Sequence, residues 1–261
     1  MKTLRYLLLL TLIFSAVIGC KNTPETEEEN IVEDKDFAYL HGKLAEVAAI
    51  DEMMDTSNCA QYSLDYATQQ NERYFATLFC DKNGDVHRIE ELTSNKEMLI
   101  TRNRIYYGDK GQIFATISER QEQSDTTLKL VEELNFYDNN GKIERSFKKE
   151  SVGDFEGDYL PSKNNVVLTK DRVIRAINHE GEFALTFQGI IKTDNLDYLM
   201  VGTSGKDGYT SALQIEANTP FIKDVYLKEL QYVGKKIDVN FERKVMGNFS
   251  YQVFVAAKWK E

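Results

Sequence analysis

The stretch GTSGKDG at 202–208 is where a serine and a lysine sit among closely spaced glycines. A nucleophile elbow needs G-x-S-x-G, but Gly205 follows Ser204 directly. A phosphate-cradling loop needs Ser or Thr after its lysine, and Asp207 stands there instead. The stretch therefore reads as a hairpin turn. Two acidic turns, DKNGD at 81–85 and YDNNG at 137–141, invite a calcium reading. An EF-hand loop places its glycine sixth, whereas Gly84 is fourth counting from Asp81, so these also read as turns. His41, His87 and His179 are scattered, none in an H-x-x-x-H or C-x-x-C setting, and no metal site is expected. Any two of the 42 carboxylates could meet in space, but no pair stands out. The expectation is no catalytic residue, no metal ligand and no cofactor.

Cysteines and aromatics remain. Cys59 and Cys80 are either a disulfide pair, which an oxidising compartment allows, or two buried thiols that never meet. Tyr106, Tyr107, Phe136 and Tyr137 are candidate ligand-contact residues if they lie on an exposed sheet face. Alternation hides one face of each strand, so about half of such aromatics belong to the core.

The N-terminal segment concerns address. MKTLR is a positive n-region, and YLLLLTLIFSAVIG is an apolar run of signal-peptide length, too short for a spanning helix of about 20 residues. Val17-Ile18-Gly19 followed by Cys20 resembles the lipobox of bacterial lipoproteins. That resemblance covers the leader and Cys20 only. It implies cleavage before Cys20, acylation of its thiol and anchorage to a membrane, since each buried CH₂ contributes about 0.8 kcal/mol. Residue 21 is Lys rather than Asp, which in the lipoprotein sorting pattern implies the outer membrane. Glu25, Glu27, Glu28 and Glu29 resemble acid-rich surface-export tracts, and equally suit a solvated tether with no sorting role.

These candidates must be held by the elements that follow. DKDFAYLHGKLAEVAAIDEMMD predicts a helix, with Phe37, Leu40, Leu44, Val47, Ile50 and Met54 along one side. From about residue 60 the period changes to two. Three segments each carry an aromatic-rich strand, a turn closing at Gly84, Gly111 or Gly141, and a second alternating strand. They resemble the hairpin repeats of bacterial wall and surface proteins, and a plain antiparallel meander explains them as well. VVLTKDRVIRAI is expected as a closing strand or a lead-in to a second domain. The last 80 or so residues read β-β-β-α-β-β, with Gly189 placed to bend the first strand. The helix of that unit is expected to carry Val225, Leu227 and Leu230, and the last strand Phe249, Tyr251, Val253 and Val255. This order resembles an OB-type barrel, which implies binding of oligomers, peptides or proteins.

The expected class is mainly β (α+β): an N-terminal helix with a hairpin meander, then a small OB-like β-barrel. The expected organisation is a leader at 1–19, a tether at 20–34, a helix-plus-meander domain at 35–160 and a barrel domain at 176–261. A formal charge of −10 disfavours nucleic acid as a partner. The expected function is a non-enzymatic binding module of the cell envelope, tethered through Cys20 and meeting another envelope protein or a glycan or lipid ligand. The alternatives are a lipid or lipoprotein carrier and, behind it, a hydrolase of envelope polymers.

Overall fold

The computed structural model describes residues 26–56, 59–124, 127–153, 156–163, 168–247 and 249–260, with side chains from residue 35 onward. Cys20, the leader and the first part of the expected tether lie outside the described residues. The chain divides into two compact units, residues 1–42 and 43–261. Helix α1 runs Thr26–Thr56. No helix among the described residues is long and apolar enough to cross a membrane. In the first unit the Phe37 ring meets His41 edge-on at 4.4 Å, and Phe37 is exposed rather than part of an inward stripe. In the second unit Val47 and Met54 are buried.

The fold is mainly β. Strands β1 (Cys59–Tyr62), β2 (Tyr66–Ala67), β3 (Arg73–Cys80), β4 (Val86–Ser94), β5 (Ile100–Tyr107), β6 (Ile113–Ser124), β7 (Thr127–Tyr137), β8 (Ile143–Val152) and β9 (Leu160–Pro161) come first. From β2 to β9 each strand is antiparallel to the next. The turn chemistry explains three of these hairpins. Gly84, Gly111 and Gly141 have φ of 90°, 73° and 75°, which L side chains rarely adopt. The Asp81 Oδ1 accepts from the backbone N–H of Asn83 and Asp85, and Asp138 does the same with Asn140 and Lys142. These carboxylates organise turns, and the backbone donors hold both pKa values below the usual range.

Helix α2 (Asp171–Asn178) follows, where a strand or lead-in was expected. Its Val173 and Ala176 lie three apart and both are buried, the spacing of one helical face. His179 closes the helix at φ 57°. Then come β10 (Thr186–Lys192), β11 (Asp197–Gly202), β12 (Thr210–Ile215), α3 (Pro220–Tyr232), β13 (Ile237–Met246) and β14 (Phe249–Trp259). Strand β12 pairs antiparallel with β2 through Thr210 and Ala67 and parallel with β14 through Gln214 and Val253. An isolated bridge joins Thr186 to Lys236. Segments on both sides of the expected domain boundary thus belong to one large mixed sheet, whose path ends at β10 and β9 without closing.

They also share one core. Phe183 is fully buried between Tyr66, Tyr74 and Tyr209, with ring centroids 4.9, 4.6 and 5.0 Å away. Two expected faces differ. Helix α3 buries Ile222 and Val225 but exposes Leu227 and Leu230, with non-helical backbone at Lys228. In β14 a register shift opposite Asn240 and Phe241 reverses the alternation, so Phe254 is buried and Val255 exposed.

Candidate functional site

A groove of about 310 Å³ opens where three distant segments meet. Its floor is the cross-strand pair Phe75 and Leu92 on β3 and β4. One wall is the turn into β5, with Met98 and Ile100 at the rim. That turn is set by Asn95: its backbone N–H donates to the Leu99 carbonyl, its side-chain oxygen accepts from the Leu99 N–H, and Met98 adopts φ 63°. The other wall comes from the hairpin of β13 and β14, through Arg243, Ser250 and Gln252.

Gln252 fixes the two halves together. Its amide oxygen accepts from the Asp65 N–H at 2.8 Å and its amide nitrogen donates to the Ser63 carbonyl at 3.0 Å. The Arg243 guanidinium lies 4.4 Å over the Phe75 ring and 5.3 Å from the Tyr62 ring, and it donates to Ser250 Oγ at 2.8 Å. Arg73 and Ser94 face each other across the β3–β4 register, and the buried Ser94 Oγ has no hydrogen-bond partner among the described residues. The groove walls raise the Asp65 carboxyl pKa by desolvation, against the opposing pull of Arg73 and Arg243.

Compared with known protein families, curated proteins and solved structures, the chain matches none. The reading of the groove therefore rests on its own chemistry. Among the described residues the lining holds one carboxylate, Asp65, and two serines, Ser94 and Ser250. What it offers is an apolar floor and rim beside two guanidiniums and several neutral polar groups, an arrangement suited to holding a ligand.

The expected contact residues lie elsewhere. Tyr106 is fully buried and its hydroxyl donates to Asp51 at 3.2 Å, and Phe136 is buried at 1% exposure, so neither offers a ring to a surface ligand. Tyr107 and Tyr137 line a second, wider cleft of about 790 Å³ beside Ile50, Met53 and Phe114. Cys59 and Cys80 face each other in the β1–β3 register and are joined as a disulfide, with Cα atoms 5.2 Å apart. Among the described residues no cluster of His, Cys, Asp and Glu could hold a metal ion. Sequence reasoning missed Asp65, Arg73, Phe75, Ser94 and Arg243. They share no motif, and the only signal was a set of arginines placed beside aromatics in strands.

Proposed function

We propose that the protein is a membrane-anchored envelope lipoprotein whose folded body is a non-enzymatic binding module, with the groove over Phe75 and Leu92 as its ligand site. The groove itself carries the binding reading: an apolar floor beside Arg73 and Arg243, walled by residues from both ends of the chain. Anchorage through Cys20 is supported by the leader and by the Cys59–Cys80 disulfide, a bond suited to an oxidising compartment. Residue 21 supports the outer membrane as the site. The acidic balance supports a partner other than nucleic acid.

Within this reading residues 180–261 are an OB-type unit. The strand order, the parallel β12–β14 contact and the Thr186–Lys236 bridge that returns the first strand to the fourth support it. A second reading, a lipid carrier, draws support from the wider cleft and its Ile50, Met53, Ile113 and Phe114 lining.

Two measurements test the proposal. Cys20→Ser should abolish acyl-chain labelling, and unchanged labelling would refute the anchor. Ser94→Trp, which fills the groove, should abolish capture of the ligand or partner recovered from detergent-solubilised envelope. Undiminished capture would remove the groove from the function.

A further inference from the structure

The groove has a net positive lining on an acidic chain. The chain carries a net charge of −10, yet two arginines and one carboxylate line this cavity. Neither Arg73 nor Arg243 is in an ion pair among the described residues, although most other arginines are. Against the single Asp65 carboxylate, whose charge both arginines feel, the lining keeps one cation in excess, and an excess cation in a concave apolar site attracts anions from solution. Beside them, Phe75 and Leu92 form an apolar floor, and Met98 and Ile100 continue it to the rim with exposures of 52% and 43%. The Ser250 hydroxyl adds a group able to donate to an oxyanion, and the Ser94 Oγ lies buried behind the lining without a hydrogen-bond partner among the described residues. A volume near 310 Å³ suits a single-chain small molecule rather than a folded partner.

From these features we infer that the groove binds a single-chain amphipathic carboxylate, its head held by Arg73 and Arg243 and its chain laid over Phe75, Leu92, Met98 and Ile100. The inference rests on the binding-module reading and gives it a ligand class. Charge complementarity calls for an anionic head group, and the apolar floor decides that the ligand is not a bare anion.

The test is calorimetric titration of the full chain carrying Cys20→Ser, so that no detergent competes, with decanoate, decylamine, decanol and acetate. Decanoate should bind at least tenfold more tightly than the other three. The Arg73→Gln/Arg243→Gln double variant should lose at least tenfold in decanoate affinity while still unfolding in one cooperative transition. Ser94→Trp, an independent groove variant, should lose binding as well. Decylamine or decanol binding as tightly as decanoate would overturn the inference, as would undiminished binding by the double variant, or acetate binding equal to decanoate. Absence of binding by every amphiphile would also overturn it. If Ser94→Trp then still abolished capture from solubilised envelope, the binding-module reading would stand without this ligand class, and if it did not, both would fall.

Discussion

Arg88 donates to the Asp51 carboxylate at 2.6 Å, tying the second part of α1 to strand β4. The guanidinium also lies 4.0 Å over the Phe79 ring, and the Arg88 side chain is only 9% exposed. Removing Asp51 leaves a nearly buried cation with a weakened partner set, the costly way to break such a pair. Asp51→Ala should therefore lower stability by roughly 2–3 kcal/mol. Asp55 contacts the same arginine at 3.4 Å but is 71% exposed, so Asp55→Ala should change stability by less than about 0.5 kcal/mol. Urea denaturation of the two variants checks the contrast, and equal effects would show that the ion pair does not hold the helix.

Phe183 joins the hairpin meander to the last strands, because its ring touches Tyr66, Tyr74 and Tyr209 at once. Phe183→Ala should cost about 3–5 kcal/mol, the loss expected when a fully buried ring is deleted. Leu230, 92% exposed on α3, provides the comparison: Leu230→Ser should stay within about 0.5 kcal/mol of the parent. Thermal unfolding should also remain a single transition, since both segments share one core. Two separated transitions would contradict the shared core.

The Cys59–Cys80 disulfide closes a loop with a sequence separation of 21. Loop-closure entropy predicts that the bond stabilises the folded state by about 3 kcal/mol. Reduction, or the Cys59→Ala/Cys80→Ala pair, should lower the denaturation midpoint accordingly. An unchanged midpoint on adding reductant would mean that the bond contributes nothing to stability.

His179 gives the stability a defined pH dependence. Burial lowers its pKa from 6.5 to about 4, Lys260 adds to the lowering, and Asp238 opposes it. Between these pH values the unfolded chain binds a proton that the folded chain refuses, so stability rises with pH across this window. It is fully present above about 6.5, falls as pH drops toward 4, and changes no further below that, for a total of up to roughly 3 kcal/mol. His179→Asn keeps a residue that tolerates the positive φ and should flatten this slope. A slope identical in parent and variant would assign the dependence to other groups.

The hairpins were legible because their partners are close in the chain. Asp81 and Asp138 reach backbone donors two and four residues on, and Gly84, Gly111 and Gly141 supply the φ that those turns require. The turn at 202–208 was legible for the same reason, joining β11 to β12 with Gly202 opposite Thr210. Faces were less legible wherever the period broke. The shift opposite Asn240 and Phe241 turns Val255 outward, and non-helical backbone at Lys228 separates the buried Ile222 and Val225 from exposed Leu230.

By itself the sequence determined the β-rich class and the hairpin positions, both of which depend on neighbours a few residues apart. Only the tertiary structure decided which side chains meet. Asp65, Phe75, Leu92, Arg243 and Gln252 come from three separated segments, and the Gln252 amide that bonds both Asp65 and Ser63 spans more than 180 positions. Such contacts form only after long-range strand pairing has assembled the sheet, because no local pattern encodes which distant strand will lie alongside. The aromatics chosen on alternation alone met the same limit: Tyr106 and Phe136 are buried, while Arg73 and Arg243 line the groove.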